Sequence, residues 1–136
     1  MSETQKRILV LDDEPDIVTY LATLFEDHGY AVRSAGNGRE GLEVAQEWKP
    51  NLITLDITMP ERSGIRFYRD IREDPQLNRI PVVIITAVTG YGGDPGSFEK
   101  FISSRRQVPA PDAFISKPIE PEHLLQVVGK LLGIPA

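Results

Sequence analysis

Hydrophobic positions along the chain follow two patterns in alternation: short continuous apolar runs, and longer segments in which apolar residues recur every three or four positions. The continuous runs predict buried strands, and the helical spacing predicts amphipathic helices. The predicted strands cover 8–11, 30–35, 52–55, 82–85 and 113–116. The predicted helices cover 15–27, 38–48, 64–72, 98–105 and 120–132.

This order of elements predicts the fold class. Regular alternation of strands and helices, with strands that are apolar on both faces, is typical of a parallel sheet covered on both sides. We therefore expect an open, doubly wound α/β domain with a five-stranded parallel sheet. The segment 88–112 is atypical, because it is rich in glycine and proline and contains only the short helical pattern over 98–105.

Length and composition narrow the class of protein. The 136 residues fit one domain, expected over 1–136 with a core of about 6–133 and no output domain in this chain. An apolar fraction of 40% is typical of a soluble globular protein, while a net charge of -5 and basic residues that cluster nowhere along the chain argue against direct nucleic-acid binding. The absence of cysteine excludes disulfides and thiolate chemistry. With no signal peptide and no membrane-spanning run, we expect a cytoplasmic protein that does not contact a membrane.

Polar residues stand where four of the predicted strands end. Asp12 and Asp13 follow the first strand, Asp56 the third, Thr86 the fourth and Lys117 the fifth. Because ligands of open parallel sheets bind beyond the carboxyl ends of the strands, these side chains are expected to meet at one edge. Taken singly, each has an ordinary explanation as a turn former, a helix-start acid or a solvated charge. Their joint placement favours a site.

The charges of this set predict a metal. Three carboxylates and one ammonium carry a net negative charge that a divalent cation would neutralise. Ligands that are all oxygen favour Mg²⁺ over Mn²⁺ or Ca²⁺. A metal beside a lysine and a hydroxyl is suited to phosphoryl transfer, and one aspartate can be the nucleophile. Asp56 is the best candidate, since Asp12 and Asp13 form a pair of ligands.

Four segments together resemble the receiver domain of two-component response regulators, over nearly the whole chain. They are "RILVLDDEPDI", "NLITLDITMPERSG", "IPVVIITA" and "AFISKPIEPEHLLQVV", in the family's order. The resemblance implies a flavodoxin-like fold with strand order 2-1-3-4-5. One departure is the separation of Thr86 and Lys117 by 31 positions, which is longer than usual for the family.

The resemblance also implies a role for each matching residue. Asp56 would accept a phosphoryl group from a histidine kinase, a phosphotransfer protein or a small phosphodonor. Lys117 would pair with that group. The metal ligands would be Asp12, Asp13, Asp56 and the backbone carbonyl of Thr58. Thr86 would supply the switch hydroxyl, and Phe114 would be the switch aromatic.

Further implications concern partners and activity. An output partner would bind the face formed by the helix over 98–105, the last strand and the last helix, and phosphorylation would favour a homodimer. The domain would be a switch and not an enzyme, because it would catalyse only its own phosphorylation and dephosphorylation.

Three alternatives stay open. A Mg²⁺-dependent aspartyl-phosphate hydrolase usually needs a second acid near the nucleophile, and the residue two positions after Asp56 is Thr58. A flavin-binding module needs a phosphate loop after the first strand, where this chain has acids. A pseudo-receiver that only binds partners would lack one of the acids or the lysine, and all are present here.

Overall fold

A five-stranded sheet with helices on both faces forms the computed structural model, which describes residues 5–56, 63–87 and 112–133. The elements are listed in chain order. The strands are β1 (Arg7–Leu11), β2 (Ala31–Ala35), β3 (Leu52–Asp56), β4 (Val82–Ala87) and β5 (Ala113–Lys117). The helices of the described ranges are α1 (Pro15–Asp27), α2 (Gly38–Trp48), α3 (Ser63–Glu73) and α4 (Pro121–Leu131).

The strand order is β2-β1-β3-β4-β5, and every neighbouring pair is parallel. This confirms the predicted doubly wound sheet and its order. After β1 the chain moves to one side to form β2 and later returns to the other side to form β3. The point where the order reverses therefore lies between β1 and β3, which is where such folds place their ligand sites.

Alternate residues of the central strands belong to two separate cores. In β1, Leu9 and Leu11 contribute to the core beneath α2 and α3, whereas Ile8 and Val10 contribute to the core beneath α1 and α4. Strand side chains point to opposite faces in turn, so a continuous apolar run fills both layers at once. All five residues of β3 are buried, as expected for the central strand.

The ends of the helices follow local signals in the sequence. The carbonyl of Leu24 lies 2.9 Å from Nδ1 of His28, the C-cap residue of α1, and Gly29 follows with φ of 90°. Asn37 caps α2, because its side-chain oxygen accepts the Glu40 backbone N–H at 2.9 Å. Among the residues described, no helix is long and apolar enough to cross a membrane.

The predicted bounds of α1 and α2 match the structure, and those of the other described elements differ by at most two residues. The second strand begins at Ala31 rather than at position 30, because the Tyr30 backbone N–H still donates to the carbonyl of Phe25 in α1. The third helix begins at Ser63 and ends at Glu73, and β5 extends to Lys117. The predicted helix over 98–105 lies outside the described residues.

Candidate functional site

Three aspartates meet at the carboxyl ends of β1 and β3. Ligand oxygens of Asp12, Asp13 and Asp56 all lie within 4.8 Å of one another. The predicted meeting of these three acids is therefore present in the structure. Carboxylate oxygens at this spacing suit a hard divalent cation such as Mg²⁺, which binds through one or two carboxylates, waters and phosphate oxygens.

The parallel register of the sheet explains why these acids meet. β1 and β3 pair so that Leu11 lies beside Leu55, and the next residue of each strand is an aspartate. Two hydrogen bonds then fix Asp12. Its backbone N–H donates to the carbonyl of Ala35 at 3.1 Å, and its Oδ1 accepts the backbone N–H of Glu14 at 2.9 Å. The loop after β1 is thus folded around the Asp12 carboxylate.

Burial makes this arrangement electrostatically demanding. Asp12 is 3% exposed and Asp56 is 2% exposed, while Asp13 is exposed. Carboxylates cost free energy when they are withdrawn from water, and neighbouring like charges repel. A divalent cation at this point would offset both costs, so the donor atoms, their spacing and their burial all fit a bound Mg²⁺.

The backbone brings Thr86 and Lys117 to the same edge of the sheet. Asp56 pairs with Ile85 of β4, so Thr86 lies one residue beyond that pair. Thr86 in turn pairs with Ser116, and Ala87 with Lys117. The side chains of Thr86 and Lys117 lie outside the described part of the structure, as does all of Thr58, so their predicted roles stay predictions.

Phe114 lies on β5 opposite Ile84, with its side chain half-buried. It packs against the core beneath α2 and α3. The ring therefore has a defined place in this conformation, and its predicted role as the switch aromatic stays a prediction.

A buried arginine that the sequence analysis did not single out holds β5 in place. The Arg72 side chain is 5% exposed, and its Nη2 lies 3.6 Å from Oδ2 of Asp112, the residue before β5. Its Nη1 donates to the carbonyls of Asn78 at 3.1 Å and Ile80 at 2.8 Å, and its Nε donates to the Tyr68 hydroxyl at 3.2 Å. A single arginine near the end of an amphipathic helix gives no sequence signal for such a role.

Comparisons with known proteins agree with this fold. The sequence model of the response regulator receiver domain family matches residues 8–129 of this chain. The Rrf1 protein of Nitratidesulfovibrio vulgaris is 32% identical over 93% of this chain and 83% of its own, and the PilH protein of Pseudomonas aeruginosa is 32% identical over 93% and 98%. The structure of the chemotaxis response regulator CheY4 of Vibrio cholerae superposes with a TM-score of 0.77 at 25% identity, covering 94% of this chain and 99% of that one.

Proposed function

Because this chain belongs to the response regulator receiver domain family of two-component signalling, we propose that its Asp56 accepts a phosphoryl group in a Mg²⁺-dependent reaction. The observation that carries the proposal is the meeting of three carboxylates, two of them buried, at the point where the strand order reverses. Receivers are signalling switches rather than classical enzymes, and the proposed chemistry is therefore the modification of the domain itself.

In the proposed reaction, a carboxylate oxygen of Asp56 attacks the phosphorus atom of the donor. The new bond joins that oxygen to phosphorus, and the bond from phosphorus to the donor's leaving nitrogen or oxygen breaks with its electron pair. Asp12, Asp13, Asp56 and the Thr58 carbonyl would hold Mg²⁺, which would supply positive charge against the transferring oxygens. The Lys117 ammonium would pair with the same oxygens.

The switch would follow from the new charge on Asp56. We propose that the Thr86 hydroxyl moves to bond the phosphoryl oxygens and that the Phe114 ring moves inward with it. Phenylalanine has no hydroxyl to satisfy, so packing alone would set the balance between the ring's two positions. The half-buried place of Phe114 in the structure leaves room for a further change in burial.

The proposed partners are of two kinds: those that donate the phosphoryl group and those that respond to the phosphorylated domain. A sensor histidine kinase or a phosphotransfer protein would supply the phosphoryl group. An output partner would bind the face that includes β5 and α4, and phosphorylation would favour a homodimer. We further propose that the domain acts as one receiver unit over 1–136.

Incubation with acetyl phosphate and Mg²⁺, followed by intact mass spectrometry, tests the proposal. We expect one phosphoryl adduct in the wild type, none in Asp56→Asn and none when a chelator removes the metal. Asp16→Asn is the matched control, because Asp16 is an exposed acid at the start of α1 outside the cluster, and it should be modified normally. An adduct that persists in Asp56→Asn would contradict the proposal, and turnover of acetyl phosphate without an adduct would favour a hydrolase.

A further inference from the structure

A tryptophan flanked by two arginines lies at the amino-terminal end of the strands, opposite the three aspartates at their carboxyl ends. The guanidinium carbon of Arg33 is 5.1 Å from the ring centre of Trp48, and that of Arg7 is 5.9 Å from it. Lys49 follows Trp48 directly. We call Arg7, Arg33, Trp48 and Lys49 the Trp48 cluster. Arg7 begins β1 and the aspartates follow its end, so the two sites are separated by roughly 16 Å of strand.

The fold builds this cluster from three separate elements. Arg7 of β1 pairs with Ala31 of β2, and Arg33 follows two residues later on the same face as Arg7. Trp48 is the last residue of α2, the helix that packs on this face. Arg7 is also fixed by its Nη2, which donates to the carbonyl of Lys49 at 2.7 Å.

Within the described ranges, no acidic side chain forms an ion pair with Arg7, Arg33 or Lys49. The Arg33 side chain is exposed and makes no hydrogen bond to any described residue. It lies on β2, which is an edge strand of the sheet and therefore accessible from the side. A chain with a net charge of -5 thus carries two arginines against one aromatic ring, with Lys49 next to that ring's residue in the sequence.

We propose that the Trp48 cluster binds an acidic peptide segment of a partner protein. The exposed Arg33 guanidinium lies over the indole ring with its N–H groups free of bonds to the described residues, and their fork matches a carboxylate, whereas Arg7 adds positive charge from beside the same ring. The stacking also holds each arginine in place before binding, which lowers the entropic cost of the contact. The local positive charge of Arg7, Arg33 and Lys49 matches a short acidic segment, whereas the chain's overall negative charge disfavours long polyanions such as nucleic acids or an anionic bilayer.

Amide chemical shifts during titration with hexaglutamate, and separately with hexaglutamine, test the proposal. We expect hexaglutamate alone to shift the amides of Arg7, Arg33 and Lys49 and the indole N–H of Trp48, with an affinity that falls as salt rises. Trp48 is the only tryptophan in the chain, so its fluorescence gives an independent measurement in the wild type. Both readouts are independent of phosphorylation.

Substitutions then locate the site. Arg33→Gln should weaken binding roughly two- to fivefold, the size expected for one exposed charge contact, and Arg33→Lys should weaken it less. Arg39→Gln removes the same charge from an exposed position at the other end of α2 and should leave the affinity unchanged. Equal shifts with both peptides, shifts that map away from the cluster, or an unchanged affinity in Arg33→Gln would overturn the proposal. A six-nucleotide single-stranded DNA that binds the cluster as tightly as hexaglutamate would also overturn it.

Discussion

Arg72 illustrates how much a single buried charge contributes when several acceptors surround it. Its guanidinium contacts Asp112, two backbone carbonyls and the Tyr68 hydroxyl, and its Cζ lies 5.0 Å from the centre of the Tyr68 ring. Arg72→Gln would leave the buried Tyr68 hydroxyl and the part-buried Ile80 carbonyl without their donor. We expect the free energy of unfolding to fall by about 1 to 3 kcal/mol, measured by urea denaturation.

The matched control for Arg72 is Arg79→Gln, which removes an exposed arginine from the turn before β4. Its effect should stay within about 0.5 kcal/mol. An equally small loss in Arg72→Gln would show that water or neighbouring side chains replace the arginine, and would contradict the prediction.

Asp70 of α3 offers a second test at the residue scale. Burial raises the pKa of its carboxyl above the ordinary 3.8, and the nearby Glu73 carboxylate raises it further, against a smaller opposing effect of Arg66 and Arg69. The folded state therefore holds the Asp70 proton more tightly than the unfolded state does. The contribution of this proton to stability is present at low pH and is lost as pH rises from about 3.8 through the raised pKa.

Asp70→Asn removes that loss. We expect the stability of Asp70→Asn relative to the wild type to improve as pH rises from about 4 to 7, measured by chemical denaturation at each pH. Asp70 and Glu43 both line a groove between α2 and α3. Glu43→Gln is the control, since Glu43 is an exposed acid on the α2 side of that groove. A relative stability of Asp70→Asn that stays constant or declines over this range would refute the expectation.

Single residues also show which contacts a sequence can reveal. Asp12 and Asp56 were predictable as neighbours because each ends an apolar run, and the ends of parallel strands converge. The contact between Arg72 and Asp112 was not predictable, because Arg72 lies on α3 and Asp112 just before β5, and neither interrupts a hydrophobic pattern. Periodicity reports which face a residue lies on, and it does not report which distant side chain faces it.

At the scale of elements, α2 packs closely against β1 and α3 because Gly41 has no side chain. A Cβ atom at this position would overlap the Leu11 side chain and lie 3.1 Å from Cε1 of Phe67. Gly41→Ala should therefore destabilise the protein by about 1 to 3 kcal/mol through overpacking, even though alanine is the better helix former by about 1 kcal/mol. Thermal unfolding followed by circular dichroism measures the difference.

Gly36 provides the comparison for Gly41. A Cβ atom there would meet only the Glu40 carboxylate at 4.0 Å, so Gly36→Ala should be neutral or slightly stabilising. If both variants unfolded at the wild-type temperature, the closeness of α2 to β1 would not depend on glycine. The sequence predicted the bounds of α2 without error, but a glycine within a helical pattern did not reveal which neighbour required it.

At the scale of the molecule, an acidic group and a basic group of side chains lie at opposite ends of the strands. Three aspartates lie beyond the carboxyl ends of the strands, and the Trp48 cluster lies at the opposite edge. The first group was predictable from strand ends. The second was not, because Arg7, Arg33 and Lys49 are far apart in sequence and only the register of β1 and β2 with the end of α2 brings them together. Basic residues that cluster nowhere along the chain therefore do cluster in space.

If the aspartates hold Mg²⁺ as proposed, metal binding is coupled to the stability of the whole fold. Without a cation, their mutual repulsion opposes folding, and Mg²⁺ that binds only the folded state would add about 1.4 kcal/mol when its free concentration exceeds Kd tenfold. Asp13 is exposed, so Asp13→Asn relieves the repulsion without opening the core. We expect Asp13→Asn to be more stable than the wild type in a chelator and to gain much less from Mg²⁺, so that the order of stability reverses as the metal is added.

Thermal unfolding of both proteins across a Mg²⁺ titration shows whether this reversal occurs. Asp16→Asn, which removes an exposed acid outside the cluster, should keep the full metal-dependent rise of the wild type. If the wild-type melting temperature did not change with Mg²⁺ concentration, a magnesium site at these aspartates in the folded state would be excluded. A full Mg²⁺ response in Asp13→Asn would instead assign the metal to other ligands, since the remaining two aspartates hold one negative charge fewer against the same cation.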